Sequence, residues 1–201
     1  MQIHNFNVGV LSTNCYVVSC LETKEAIIID PGFDSSYEAE QIIRYVDENA
    51  LKVKFIVNTH GHEDHISGDV LLKREYGVPI CIHEYDAPCL EGLDEKLSPA
   101  NVVLEDEERL KFGHITLKVM HTPGHSLGSI CLVGQKLVFS GDTLFAGGIG
   151  RTDFAGGSND DMRISLQKLV CLPENCVVYP GHGCFSTIGE EKRVNPFLRL
   201  L

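Results

Sequence analysis

The sequence predicts an α/β fold, and three observations predict it. Short apolar, β-branched runs recur along the chain, amphipathic helical segments fall between them, and Gly, Pro or Asp turns close most of the runs. The strand-like runs are Ile3 to Val8, Cys15 to Ser19, Ala26 to Ile29, Phe55 to Val57, Ile80 to Ile82, Leu117 to Met120, Ile130 to Val133, Leu137 to Phe139 and Val177 to Tyr179. Ser35-x-x-Glu38 reads as a capping box, opening a helix with Ala39, Ile42, Ile43 and Val46 on one face. Ser158-x-x-Asp161 opens another, with Met162, Leu166, Leu169 and Val170 turned inward and a stop near Pro173. Asp64-His65 is expected to open a third, because the stretch from Ile66 to Tyr76 puts Ile66, Val70, Leu71 and Leu72 on roughly one helical face. These stripes read as core.

A chain of 201 residues suits one compact domain, 1–201, since no linker, repeat or low-complexity stretch divides it. The formal net charge of −11 argues against a nucleic-acid partner, which needs a basic face. Met1-Gln2-Ile3-His4-Asn5-Phe6 lacks a basic segment followed by an apolar core, and no run reaches membrane-spanning length. The expectation is a cytoplasmic enzyme with a small-molecule substrate and no membrane partner; oligomeric state is left open. The acidic stretch Glu105-Asp106-Glu107-Glu108 reads as a solvated hairpin edge. The eight cysteines show no C-x-x-C pairing and read as reduced, mostly buried small hydrophobes, with Cys184, two residues past His182, a candidate to face a site.

The chemistry concentrates in Thr59-His60-Gly61-His62-Glu63-Asp64-His65, which follows Phe55-Ile56-Val57 directly. Imidazole nitrogens and carboxylate oxygens are the donors that Zn(II) and Fe(II) accept. In a tight loop after a strand, His60 and His62 project to one side while Asp64 and His65 fall toward another, so the loop can feed two adjacent metals. A histidine-rich solvated loop is the competing reading, but four potential ligands in six residues are costly to bury without a metal. Three later islands repeat the context. His125 in Thr122-Pro123-Gly124-His125, Asp142 in Ser140-Gly141-Asp142-Thr143 and His182 in Tyr179-Pro180-Gly181-His182 each occupy a Gly-containing turn after an apolar run. Each alone is an ordinary turn; together they are ligands delivered from several strand ends to one sheet edge.

These motifs, in this order, resemble the signature of the metallo-β-lactamase superfamily: T-H-x-H-x-D-H, P-G-H, G-D and G-H. Ile29-Asp30-Pro31-Gly32, Gly150-Arg151-Thr152-Asp153-Phe154, Ser186-Thr187-Ile188-Gly189-Glu190 and Asn195-Pro196-Phe197 are similar to the small glyoxalase II-like hydrolases within it, which lack the C-terminal helical domain of full-length glyoxalase II. The resemblance implies a four-layer αββα sandwich, two mixed sheets between outer helices. It also implies that His60, His62 and His125 hold one metal, that Asp64, His65 and His182 hold a second, and that Asp142 bridges them. Asp30 would accept a ligand histidine N–H, or simply shape the Pro-Gly turn. Two Zn(II) are the expected cofactors, with Fe(II) or Mn(II) as alternatives.

Such a site implies hydrolysis of a thioester, S-lactoylglutathione for example, by a metal-bridging hydroxide, with Asp64 and Asp142 in catalytic roles and Asp64 also orienting the water. Arg151 either binds a substrate carboxylate through its planar fork or pairs with Asp153 to fix their loop. Of the remaining histidines, His121 is a candidate to line the pocket, while His4, His83 and His114 are expected to stand apart. Persulfide dioxygenases resemble the chain over the same signature and the 150–154 loop; their chemistry would use one Fe(II) on His60, His125 and Asp142. Hydrolysis of a lactone or other ester is a further alternative.

Overall fold

In strand β2 (Thr13–Ser19) every residue is buried, yet the side chains divide by parity: Tyr16 and Val18 join one hydrophobic cluster, Cys15 and Val17 another. Strand β3 (Glu25–Ile29) sends Ile27 and Ile29 one way and Ile28 the other, and β10 (Leu137–Gly141) separates Leu137 and Phe139 from Val138 in the same manner. Successive side chains point to opposite faces of a strand, so a continuous apolar run is what a strand covered on both faces requires. The computed structural model, which describes residues 1–91 and 102–201, has that architecture.

The first sheet runs β1 (Gln2–Val8), β2, β3, β4 (Lys52–Val57), β5 (Ile80–His83) and β6 (Val102–Leu104), antiparallel through β3 and parallel beyond it. The second has the order β12 (Ser186–Thr187), β11 (Val177–Pro180), β10, β9 (Ile130–Val133), β8 (Ile115–His121) and β7 (Arg109–Phe112), in which β10 and β11 alone are parallel neighbours. Between the sheets lies a cluster in which Tyr16, Ile29 and Val57 face Leu117, Leu132 and Phe139. Helix α1 (Ser36–Glu48) covers the outer face of the first sheet with Ala39, Ile42 and Val46, joined by Leu72 of α3 (Asp69–Tyr76). Met162, Leu166 and Leu169 of α4 (Asn159–Val170) and Ile188 of α5 (Ile188–Val194) cover the second. The layers are therefore α, β, β, α, as the resemblance implied. No helix among the described residues is long and apolar enough to cross a membrane.

The caps form as the sequence predicts. Ser35 Oγ accepts the Glu38 N–H at 3.3 Å and Glu38 Oε2 accepts the Ser35 N–H at 3.2 Å, an arrangement worth about 1 kcal/mol. At α5 Thr187 Oγ1 caps the helix by accepting the Glu190 N–H at 3.2 Å; seven residues carry too little periodicity for this helix to be legible in the sequence. The expected helix from Asp64 through Tyr76 is instead two pieces, α2 (Glu63–Ile66) and α3. The Gly68 N–H donates to Pro31 O at 2.8 Å, so the chain leaves its helical path at Ser67-Gly68 to dock on the turn after β3. The acidic stretch 105–108 is largely exposed and lies on the edge of the β7–β8 hairpin, the Glu107 N–H donating to Val119 O at 3.0 Å and the Val119 N–H to Glu108 O at 2.8 Å; because β6 pairs with β5 in the first sheet, these residues also carry the chain between sheets.

Strands β3 and β4 are parallel, so Asp30 and the 59–65 loop emerge together at one end of the sandwich. There the backbones press close: a Cβ on Gly32 would lie 1.4 Å from Asp64 O and 2.3 Å from its carbonyl carbon. Gly32→Ala must therefore push α2 off the β3 turn. We expect it to lower unfolding stability by about 1–3 kcal/mol in urea titration; an unchanged midpoint would show that α2 moves freely.

Candidate metal centre

Five imidazoles and two carboxylates meet at this end of the sheets, delivered by the loops after β4, β8, β10 and β11. Three sets of donors have ligand atoms within 4.8 Å of one another: His60, His62 and His125; His60, His65 and Asp142; and Asp64, His65 and His182. Asp142 lies between the outer two sets, with Oδ1 3.5 Å from His65 Nε2 and Oδ2 3.5 Å from His125 Nε2 and 3.6 Å from His182 Nε2. The structure thus brings all seven sequence-selected donors together. Ring nitrogens face each other, His62 Nδ1 to His125 Nε2 at 2.8 Å and His65 Nε2 to His182 Nε2 at 3.3 Å.

The outward-facing nitrogens explain which lone pairs point inward. His125 Nδ1 donates to Arg151 O at 2.7 Å and His182 Nδ1 to Leu11 O at 3.2 Å, so each presents Nε2 to the centre. His65 Nδ1 lies 3.0 Å from Asp30 Oδ2. The same oxygen accepts the Thr59 hydroxyl at 2.7 Å, and that hydroxyl oxygen, its proton committed, is left to accept from His60 Nδ1 at 3.2 Å. Asp30 Oδ1 accepts the Thr59 N–H at 2.7 Å. One buried carboxylate, on a backbone at φ +50°, thereby fixes the tautomers of two histidines. Asp30 does both things its motif suggested: it shapes the turn and holds the rings.

The electrostatics follow from burial and neighbours. Burial, and then the adjacent imidazoles, hold His60 well below the usual histidine range and His62 below it, so both are neutral donors. Burial also works to lower His65, but Asp30, Asp142 and Asp64 outweigh it and raise it to about 9. Burial opposes ionisation of Asp64, yet the His182 hydrogen bond and the charges of His65 and His182 carry it below the usual carboxylate range.

A cation fits these residues. His60 Nε2 and Asp142 Oδ1 are buried polar atoms with no hydrogen-bond partner among the described residues. Leaving such atoms unpaired costs on the order of 1–3 kcal/mol each, and a divalent ion would satisfy both. The donor set is nitrogen and oxygen without thiolate, which zinc, iron and manganese all accept.

Several residues of this centre carried no sequence signal. Asp86 is buried, its Oδ2 accepting the Gly61 N–H at 2.9 Å and the Ser126 hydroxyl at 2.6 Å, its Oδ1 the Gly128 N–H at 2.8 Å. It ties the 59–65 loop to the 122–129 loop, so His60 and His62 keep register with His125. Thr13 Oγ1 donates to Asp64 Oδ2 at 3.2 Å, and Asn58 Nδ2 donates to His65 O at 3.2 Å. Asp86 reads in sequence as an ordinary turn acid; only the fold reveals its partners.

Other candidates lie elsewhere. His121 is absent from the cavity wall; its ring stacks on His83 at 4.1 Å and bonds Leu127 O at 2.9 Å, because β8 ends before the turn that carries His125. Cys184 is exposed and likewise outside the wall, beyond the turn at Gly183. All eight thiols are free, five of them buried. Arg151 makes a two-bond pair with Asp153, 2.9 Å in each arm, and its guanidinium lies 4.2 Å from the Phe154 ring centroid.

With this geometry in view, kinship can be assigned. The family model described as the metallo-β-lactamase superfamily matches residues 8–182. The chain belongs to that superfamily. Within the superfamily it is 37% identical to hydroxyacylglutathione hydrolase GloC of Haemophilus influenzae, over 98% of each chain. It is 33% identical to the mitochondrial persulfide dioxygenase ETHE1 of Bos taurus, over 94% of this chain and 72% of that one. It superposes on TTHA1623, solved in a di-iron-bound form, with a TM-score of 0.83 and 34% identity, covering 97% of this chain and 100% of the other. Superfamily membership and the donor cluster together support a metal-dependent enzyme.

Asp30→Asn keeps the shape of the side chain but replaces an acceptor with an amide that faces two N–H groups. We expect zinc affinity to fall about 10- to 100-fold, measured by competition with a chromogenic chelator. Wild-type affinity in this variant would remove Asp30 from the ring-holding role.

Proposed function

We propose that this protein is a binuclear metal-dependent hydrolase of thioesters, with S-lactoylglutathione the substrate to try first. The observation that carries the reading is the donor constellation: seven N- and O-donor side chains in three overlapping groups, with Asp142 between the outer two. His60, His62 and His125 would hold one ion, Asp64, His65 and His182 the second, and Asp142 both. Two divalent ions bound there, zinc by preference, supply Lewis acidity toward a carbonyl and a water acidified to near neutrality.

The chain's own groups do the rest. Asp64 Oδ2, held ionised and steadied by Thr13 and His182, is an acceptor that can orient an attacking water at the cavity floor. Asp30 keeps His65 and, through Thr59, His60 in the tautomers that aim Nε2 inward. A thiol leaving group has a pKa near 8.5, so it departs as thiolate without a dedicated acid. The likeness to GloC, whose printed name is that of a hydroxyacylglutathione hydrolase, supports this choice of substrate.

A second reading, a mononuclear Fe(II) persulfide dioxygenase on His60, His125 and Asp142, is favoured by the likeness to ETHE1. Metal content per chain, measured on protein purified without added metal and kept from air, separates the two. About two zinc per chain with thioester turnover supports the hydrolase. One iron per chain, with oxygen consumption on glutathione persulfide, would overturn it. Asp142→Ala is expected to remove both metal loading and turnover. Either surviving at near the wild-type level counts against Asp142 as the shared ligand.

A further inference from the structure

Above the donors opens a cavity of about 670 Å³, and its walls differ sharply from its floor. The floor is imidazole and carboxylate. The walls are Leu11, Phe145, Ile149, Phe154 and Ala155, with Arg151 the single cation among the described lining residues. Aromatic rings flank the donors on both sides: Phe154 lies 5.5 Å from the His62 ring and 6.2 Å from that of His125, while Phe145 lies 6.0 Å from His182. Leu11 is 61% exposed and Phe154 43%, unfavourable exposures for large apolar side chains beside a polar centre.

The hairpin tip bearing Leu11 is held in place. Gly9 N–H donates to Glu38 Oε1 at 2.8 Å, Val10 N–H to Asp34 Oδ2 at 2.9 Å, and Leu11 O accepts from His182. The backbone that carries its apolar side chain is therefore tethered beside the donors. Arg151, for its part, is already matched by Asp153, so the described wall residues offer no uncompensated positive charge. Glutathione carries two carboxylates and an ammonium group, and a site that reads them needs charged or hydrogen-bonding partners placed for each. Hydrocarbon walls beside a carbonyl-activating floor suit an acyl chain instead.

Resting on the thioester-hydrolase reading, we infer that this site selects an apolar acyl chain and leaves the charged ends of a glutathione carrier in solvent. The test uses the zinc-loaded full chain with the S-lactoyl, S-acetyl, S-butyryl and S-hexanoyl thioesters of glutathione. Each methylene that reaches the wall is expected to raise kcat/KM by roughly two- to fourfold, so that hexanoyl exceeds lactoyl by about tenfold or more. Replacing glutathione by N-acetylcysteamine on the hexanoyl substrate should cost less than about fivefold, because no buried contact is lost.

A lactoyl rate equal to or above the hexanoyl rate overturns the inference, as does a larger loss on changing the carrier. Binding of the uncleavable S-methyl and S-hexyl thioethers of N-acetylcysteamine, by calorimetry, gives an independent readout. If no thioester is cleaved, the hydrolase reading falls. Tighter binding of S-hexyl than of S-methyl would still support the apolar subsite, and equal binding would sink it.

Discussion

The structure is organised around one electrostatic problem: five imidazoles and two carboxylates aim lone pairs at a space a few ångströms across. Lone pairs that face each other repel unless a proton or a cation lies between them, and buried acceptors without donors lose their hydration. The strain shows in the unpaired His60 Nε2 and Asp142 Oδ1, and in the opposed displacements of His60 downward and His65 upward in proton affinity. A cation resolves all of these at once. Such a centre has to be held open by the scaffold, since the donors would otherwise turn away to water.

Two buried carboxylates outside the donor set do much of that holding, each by a different route. Asp30 works on ring orientation, through His65 directly and through Thr59 to His60. Asp86 works on loop position, taking three hydrogen bonds from two loops that share no strand pairing. Because each bond to an ionised acceptor is worth roughly 1.5–3 kcal/mol when buried, losing either acid leaves several donors unpaired at once. Behind them, Gly32 lets α2 rest on the β3 turn, and Gly68 diverts the chain so that it can. Local backbone choices thus reach the donors through only one or two contacts.

How much of this could be read beforehand depends on sequence distance. His60 to His65 are dense and local, and His125, Asp142 and His182 each follow an apolar run, so their convergence was legible from spacing and turn context alone. The capped helices α1 and α4 were equally legible, because caps and stripes lie within one element. Asp86 was not, since its partners stand 25 and 40 residues away. Nor was the break at Ser67-Gly68: helical periodicity continues through it, and only the tertiary bond to Pro31 O interrupts the helix. The acidic stretch after β6 was legible as an exposed hairpin edge but not as the crossing between sheets, since charge predicts exposure and says nothing about which sheet the next strand joins.

The division between floor and wall bears on how one scaffold serves different reactions. Floor residues are buried or half-buried and cross-tied, so most substitutions there disturb metal binding before they alter selectivity. Wall residues sit on the β1–β2 hairpin tip and on the 145–155 loop, where the side chains of Leu11 and Phe154 are exposed. Their replacement changes what the cavity admits at little cost to the fold, since surface changes away from buried networks usually fall within about 0.5 kcal/mol. Chemistry is thereby fixed in the cross-tied layer and specificity in the exposed one, which is why donor motifs announce a reaction class while substrate identity has to be read from the walls.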